Sequence, residues 1–191
     1  MRFRVTWKGT TASTNDDVWA LARAGEPAGA CVASFVQESG RGTWKRVWAS
    51  PRGGLYFSFL LRPRTPQAVW PEASILLART CAQVIRDFCG VGDGIVRVKP
   101  KNDVVCDAGK LAGISLEARD GCLNVGCGTN VFKPEGGIRT DGRNVPAYLE
   151  DLCVQGARGT LGPYSEETIE GLLDAYLSAI GRLIDVRSDV F

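Results

Sequence analysis

The chain has 191 residues, of which 45% are hydrophobic and 23% charged, and these values are typical of one globular domain. The formal net charge is +2, which is too small to indicate a nucleic-acid partner. There is no histidine, so a Ser-His-Asp hydrolase, a Cys-His protease and every histidine-ligated metal centre are excluded.

The hydrophobic pattern of the first half predicts three strands and two helices. The strands are expected over 2–8, 30–37 and 55–62, and the helices over 16–24 and 71–89. A loop rich in glycine and arginine, residues 38–54, separates the second and third strands.

The second half is rich in strands and ends in an amphipathic helix. The strands are expected over 95–99, 103–106, 110–119 and 122–125, and the helix over 165–183. Because strands and helices do not alternate strictly, the pattern favours an α+β fold, with a mixed or antiparallel sheet and helices packed on it.

Cysteine usage and hydropathy indicate where the protein resides. The seven cysteines include no C-x-x-C pair, and several lie within apolar runs, which is typical of reduced, buried thiols in an intracellular protein. No apolar run is long enough to cross a membrane, and no signal segment follows Met1. We therefore expect a soluble cytoplasmic protein with no membrane partner.

The loop carries the first candidate functional signal. Between Arg41 and Arg64 there are six basic residues and no acidic one. Glycines allow a ligand to approach the backbone closely, and arginines bind carboxylate or phosphate oxygens with paired donors. A solvated surface loop is the alternative interpretation of the same composition.

Two further segments, residues 99–114 and 124–131, could carry chemistry. Lys110 lies in an otherwise apolar predicted strand, where it is either an exposed edge residue or a cation placed where negative charge develops. Asp103 follows Asn102 at a strand start and suits either a divalent cation or a turn. Alternating glycines at 126 and 128 permit close approach of a ligand or indicate a β-bulge.

Taken together, the motifs of this chain resemble those of the biotin protein ligase family. They occur in the family's order, as Ser13-Thr14-Asn15, Gln37 to Gly53, Leu55-Tyr56-Phe57-Ser58, Lys99 to Asp103, Lys110 to Ile114 and Gly126 to Asn130. Each motif alone is weak, but six in the same order are specific. The resemblance spans about residues 10 to 185 and implies the α+β fold of the biotin/lipoate protein ligase catalytic domain.

The resemblance implies an ATP-dependent ligase. Biotin and Mg-ATP would form biotinyl-adenylate, and a lysine of a biotin carboxyl carrier protein would then accept the biotinyl group. Such a reaction depends on positioning and charge stabilisation and needs no histidine.

The resemblance also assigns roles to individual residues. The catalytic residues would be Lys110 and Arg41. The biotin pocket would be formed by Ser13, Thr14, Gln37, Arg41, Tyr56, Ser58, Lys110, Gly113 and Ile114. The nucleotide would be held by Arg46, Trp48, Lys99, Asn102, Asp103 and Asn130, with Asp103 as the Mg²⁺ ligand.

The sequence departs from the family pattern in several places. Thr43 and Lys45 replace an arginine and a glycine of the family's loop, and Pro100 replaces the tryptophan of its K-W-P-N-D motif. We expect residues 1–191 to form a single catalytic domain, without the N-terminal DNA-binding domain or the C-terminal SH3-like domain found in many members. The expected assembly is a monomer or a homodimer.

Two alternative functions remain open at this stage. The same fold class includes lipoyl and octanoyl transferases that use a lysine and a cysteine, and Lys110 with Cys127 could be such a pair. A biotin-binding module without catalytic activity is the other alternative.

Overall fold

The computed structural model describes residues 1–43, 46–99, 102–138 and 145–191. Within these residues the strands are β1 (Arg4–Lys8), β2 (Ala30–Ser34), β3 (Gly54–Leu61), β4 (Arg97–Lys99), β5 (Asp103–Cys106), β6 (Gly109–Arg119) and β7 (Cys122–Asn130). The helices are α1 (Thr14–Arg23), α2 (Trp70–Cys89), α3 (Leu149–Gln155) and α4 (Glu166–Val186).

The strands of the described residues form one sheet in the order β1-β2-β3-β7-β6-β5-β4. β1 and β2 are parallel, and every other neighbouring pair is antiparallel. The mixed sheet with helices packed on it confirms the predicted α+β class. β3 and β7 lie at the centre, and every residue of β3 is buried, because both faces of the sheet are covered there.

The two faces of the sheet carry different layers. α2 and α4 cover one face, where Phe57 of β3 packs against Tyr176 of α4 with ring centroids 5.7 Å apart. α1 covers part of the other face through a small cluster that includes Val18, Trp19 and Leu60. In the part of the chain that the structure describes, no helix has the length and apolar content needed to span a bilayer.

The sequence pattern defines the helix termini. Ser165 precedes α4, and its hydroxyl accepts a hydrogen bond from Thr168 N at 3.3 Å, as expected of an N-cap. Pro71 lies in the first turn of α2, and Gly90 ends this helix with a φ of 67°. A residue with a side chain is strained in that left-handed conformation, so glycine is favoured there.

Two elements differ most from the predicted ones, while β2 ends three residues earlier than predicted and α4 three residues later. β7 continues to Asn130, five residues beyond the predicted end, because β3 and β6 pair with it on both sides and keep the glycines in extended conformation. α3 was not predicted at all; it has only 7 residues, too few to show a helical period in the sequence.

Candidate functional site

A cavity of about 470 Å³ lies on the face of the sheet that carries α1. Its walls are formed by β3, β6, β7, the first turn of α1 and the glycine- and arginine-rich loop. Eleven of the predicted site residues line it: Thr14, Gln37, Arg41, Arg46, Trp48, Ser58, Asn102, Lys110, Gly113, Ile114 and Asn130. The fold thus brings together segments that are far apart in the sequence.

Strand β7 separates the cavity from the helical core. A methyl group on Gly126 would lie 2.6 Å from Asn15 Oδ1, and one on Gly128 would lie 2.4 Å from Trp48 Nε1. These glycines therefore face the cavity and leave room for the side chains above them. Successive strand residues point to opposite faces, so Cys127 and Thr129 face α2 and α4.

At the Gly126 end, neutral side chains form a buried hydrogen-bonded network, which we call the neutral end. Ser58 Oγ donates to Asn15 Oδ1 at 2.8 Å and lies 2.7 Å from Thr14 Oγ. The backbone N–H of Thr14 donates to Gln37 Oε1 at 2.9 Å, and Gln37 Nε2 donates to Ser50 Oγ at 2.9 Å. Such a network fixes donors and acceptors in place before a ligand arrives.

Lys110 lies at the opposite part of the cavity, which we call the charged end. Its Nζ is 2.7 Å from Asp103 Oδ1, and the two side chains are only 12% and 15% exposed. The same Nζ lies 4.8 Å from the centroid of the Trp48 ring. Lys110 is thus a largely buried cation rather than the exposed edge residue that the sequence left open.

The backbone around Lys110 is also held on both sides. Asn130 Nδ2 donates to Lys110 O at 3.0 Å. Lys110 N donates to Val145 O at 2.8 Å, and Ala147 N donates to Lys110 O at 2.9 Å. The register of β5 against β6 shifts between Val104 and Val105, an irregularity of the kind that re-aims side chains near functional sites.

Arg41 extends from the loop towards α1, where it forms a two-pronged ion pair. Its Nη1 and Nη2 atoms donate to Asp16 Oδ2 and Oδ1 at 2.6 and 2.7 Å. The hydrogen bonds from the guanidinium lower the pKa of Asp16 below its ordinary value. They also raise the pKa of Arg41. The fork of Arg41 is therefore engaged by the same chemical group, a carboxylate, that a ligand with an acid tail would offer.

Arg46 is held by Thr43. Its Nε donates to Thr43 O at 3.1 Å and its Nη2 donates to Thr43 Oγ1 at 3.0 Å. Thr43, which replaces an arginine of the family pattern, thus orients Arg46. Lys45 and Pro100, at two other departures, lie outside the described residues.

Four predicted residues do not form part of the cavity wall: Ser13, Tyr56, Lys99 and Asp103. Ser13 is buried ahead of α1, and its hydroxyl has no partner among the described residues. Tyr56 OH donates to Pro51 O at 2.8 Å, so this side chain supports the loop from beneath, and burial raises its pKa. Lys99 is exposed at the end of β4. Asp103 does not line the cavity, but it pairs with the ammonium group of Lys110, which does.

Sequence reasoning did not identify several residues at the site. Asn15 and Ser115 contact the position of Gly126, and Asp16 holds Arg41. Asn15 could have been found from the polar run before α1. The partnership of Asp16 with Arg41 leaves no local signal, because 25 positions separate the two residues.

The charged end offers few ligands for a metal ion. Among the described residues there is no group of three acidic, cysteine or histidine side chains that could hold one. Asp103 offers one carboxylate, of which Oδ1 is paired with Lys110, with Asn102 next to it. Mg²⁺ commonly binds through one or two carboxylates, water and substrate phosphates, so this donor set fits a Mg²⁺ that arrives with a nucleotide.

The chain is similar to known ligases in sequence and in fold. The model of the biotin/lipoate A/B protein ligase family matches residues 9–130. Biotin–protein ligase 2 of Arabidopsis thaliana is 31% identical over 134 residues, which are 66% of this chain and 39% of the relative. Biotin–[acetyl-CoA-carboxylase] ligase of Paracoccus denitrificans is 30% identical over 155 residues, which are 78% of this chain and 62% of the relative. The chain thus spans less than two thirds of either relative.

A solved structure supports the same fold. The biotin protein ligase of Aquifex aeolicus, in complex with biotin and ATP, has a TM-score of 0.77 and 23% sequence identity to this chain. The similarity covers 95% of this chain and 70% of that structure. At this identity the similarity establishes the arrangement of the strands and helices.

Proposed function

The chain belongs to the biotin/lipoate A/B protein ligase family, and on that basis we propose that it attaches biotin to a lysine of a biotin carboxyl carrier protein at the expense of ATP. A biotin carboxylate oxygen attacks the α-phosphorus of ATP, and pyrophosphate leaves. The amine of the carrier lysine then attacks the carbonyl carbon of biotinyl-adenylate, releasing AMP and a proton.

One observation carries this proposal: the cavity is neutral and hydrogen-bonding at one end and cationic at the other. Along β7 the neutral end begins at Gly126, and the Lys110 ammonium lies 3.2 Å from the position of a methyl group on Gly113, which pairs with Gly128. Gly126 and Gly128 are about 7 Å apart at the usual rise of a strand. An elongated ligand with an uncharged polar ring and a carboxylate tail matches this distribution.

At the neutral end, Thr14, Ser58 and Gln37 would bind the ureido ring of biotin through neutral donors and acceptors. The wall formed by Gly113 would contact the apolar part of the ligand, and Ile114, whose side chain points to the helical core, would border it through its backbone. Buried polar groups that are already hydrogen-bonded discriminate strongly between ligands, because a wrong ligand leaves one of them unpaired.

At the charged end, Lys110 would stabilise the charge that develops on the carboxylate and the α-phosphate. Arg41, which here binds Asp16 beside the neutral end, would share this role after exchanging Asp16 for the ligand carboxylate. Arg46, Asn102 and Asn130 would bind the nucleotide, and Trp48 would cover it. Asp103 would hold the Mg²⁺, which neutralises phosphate charge when bound. Lys99, exposed at the end of β4, would contact the outer phosphates.

The position of the Cys127 thiol argues against a lipoyl or octanoyl transferase that uses Lys110 and Cys127 as a pair. Cys127 pairs with Ile114 of β6, and its Sγ lies 4.0 Å from Thr129 Oγ1, which is itself 3.1 Å from Tyr176 OH of α4. Its thiol therefore lies on the opposite face of the sheet from Lys110, where it cannot accept an acyl group from a ligand in the cavity.

The experiment that tests the proposal is ATP–pyrophosphate exchange with the purified chain. Exchange that depends on biotin supports adenylate formation, and transfer of labelled biotin to a carrier domain tests the second step. Biotin binding without exchange would instead support the non-catalytic module. A cytoplasmic location and the oligomeric state, monomer or homodimer, stay predictions.

A further inference from the structure

Two cysteines outside the cavity lie side by side. Cys89 is the last residue of α2, Cys153 lies in α3, and their sulfur atoms are 2.7 Å apart. Both residues are fully buried. Sixty-four positions separate them in the sequence, so the fold alone brings these thiols together.

We propose that Cys89 and Cys153 form a reversible disulfide that fastens α3 to the C-terminal end of α2. The surrounding backbone is already arranged for it. Ala157 N donates to Gly90 O at 2.9 Å, and a methyl group on Gly156 would lie 2.1 Å from Cys89 O. The ends of the two helices therefore touch without a bond between the sulfurs, and no large movement is needed to form one.

The chemistry of the pair favours Cys153 as the attacking thiol. The hydrogen bond between the two thiols lowers the pKa of Cys153, and the positive charge of Arg158 acts in the same direction. The same hydrogen bond raises the pKa of Cys89. The thiolate is the nucleophile in thiol–disulfide exchange.

The oxidant we propose is a small-molecule disulfide of the glutathione class. Cys153 Sγ attacks one sulfur of that disulfide, the sulfur–sulfur bond breaks, and one small thiol leaves with a proton. Cys89 Sγ then attacks Cys153 Sγ, and the second small thiol leaves. In total, two electrons and two protons pass from the protein thiols to the small disulfide.

Access to the buried pair requires a local opening of α3. This helix has 7 residues, and Val154, directly after Cys153, is 62% exposed. Helices this short are marginal by themselves, and their opening costs less than global unfolding. Cys81 and Cys127 also lie close to each other, but they are buried between β7 and the long helix α2, and we expect them to stay reduced.

The disulfide would act on the segment that borders Lys110. Ala147 N donates to Lys110 O at 2.9 Å, and Glu150 N, at the start of α3, donates to Val131 O at 3.0 Å. Fixing α3 to α2 therefore restrains residues 145–150 against β6 and β7. This effect does not depend on which ligand the cavity takes.

The test begins with the wild-type chain equilibrated in mixtures of oxidised and reduced glutathione. We expect peptide mapping without reductant to show a Cys89–Cys153 crosslink whose fraction follows the glutathione ratio. Closing a loop of this size should raise the melting temperature on the order of 10 °C. Hydrogen exchange at the Lys110 and Ala147 amides should slow on oxidation and recover on reduction.

Cysteine variants test whether the effect of oxidation requires the Cys89–Cys153 pair. In Cys89→Ala and Cys153→Ala, oxidation should leave the melting temperature unchanged, whereas the control Cys106→Ala, which removes a partly exposed thiol, should behave as wild type. A crosslink between other cysteines, or glutathione adducts without the Cys89–Cys153 crosslink, overturns the proposal. Wild-type mapping remains decisive if the variants do not fold. A crosslink without slower exchange overturns the effect on residues 145–150.

Discussion

At the neutral end of the cavity, buried uncharged side chains hydrogen-bond one another, whereas each cation of the cavity wall is held by an oxygen that a ligand could replace. Lys110 is held by Asp103, Arg41 by Asp16 and Arg46 by Thr43. Rearranging a buried network leaves polar groups unpaired and is costly. The Arg41–Asp16 pair, with side chains 35% and 56% exposed, contributes little and exchanges easily. The Lys110–Asp103 pair is largely buried, so Lys110 leaves it only for another anion. The neutral end is therefore suited to selecting the ligand and the charged end to acting on it.

Lys110→Ala should have the largest effect, and it should be confined to the charged end. Removing one charge-stabilising donor should lower biotin-dependent pyrophosphate exchange about a hundred- to a thousandfold, while biotin binding measured by calorimetry is largely retained. Lys133→Ala is the matched control, because Lys133 is an exposed lysine that pairs with Asp151. Near-normal exchange in Lys110→Ala would show that this lysine is not catalytic.

Ser58→Ala disrupts the hydrogen-bonded network of the neutral end. It removes the hydroxyl that donates to Asn15 and contacts Thr14, and leaving buried groups unpaired costs about 1–3 kcal/mol. We expect biotin affinity to fall about five- to a hundredfold, with the KM for ATP unchanged. Ser178→Ala, at an exposed helix position beside Arg182, serves as the control. An equal loss of affinity for both ligands would contradict the separation of the two ends.

Thr43→Ala tests how Arg46 is positioned. The variant loses the hydroxyl that accepts from Arg46 but keeps the backbone carbonyl contact. One net hydrogen bond contributes about 0.5–1.5 kcal/mol, so the KM for ATP should rise about two- to tenfold while the KM for biotin stays constant. Thr43→Ser should restore the wild-type value. If Thr43→Ser behaves like Thr43→Ala, the hydroxyl does not position Arg46.

Asp16→Asn should have the smallest effect and the opposite sign. The variant removes the nearer of the two carboxylates that compete for Arg41, while Glu117 Oε1 stays 3.8 Å from Arg41 Nη2. Since Asp16 is 56% exposed, the gain is limited to about 0.2–1 kcal/mol. Biotin should bind up to about fivefold more tightly. Weaker binding in calorimetry would mean that Asp16 holds Arg41 in its working position instead.

The same ion pair predicts a pH dependence of stability. The folded-state pKa of Asp16 lies below its ordinary value of 3.8, because Arg41 hydrogen-bonds the carboxylate. The Asp16–Arg41 pair therefore makes its full contribution to the free energy of unfolding at neutral pH. This contribution is lost as the pH falls through the lowered pKa of Asp16. Urea unfolding of wild type and Asp16→Asn should therefore differ at neutral pH and converge in acid.

The order of motifs predicted most of the cavity wall, because the family resemblance assigns residues such as Lys110 and Ser58 to the site and both belong to apolar runs that predict strands. The orientation of Tyr56 was not predictable in the same way. It lies on the same face of β3 as Ser58, and only the course of the loop back to Pro51 decides that its hydroxyl bonds there. The contact of Asp16 with Arg41 likewise depends on how a long loop returns to α1.

β7 is a single layer of backbone shared by two environments. Gly126 and Gly128 face the cavity, while Cys127 and Thr129 face the helices, and the Thr129 hydroxyl lies 3.1 Å from Tyr176 OH. A change of volume at Tyr176 or Cys81 therefore displaces the floor of the cavity, although neither side chain touches a ligand. In this part of the molecule, core packing and ligand preference cannot be altered independently, and selection on one is also selection on the other.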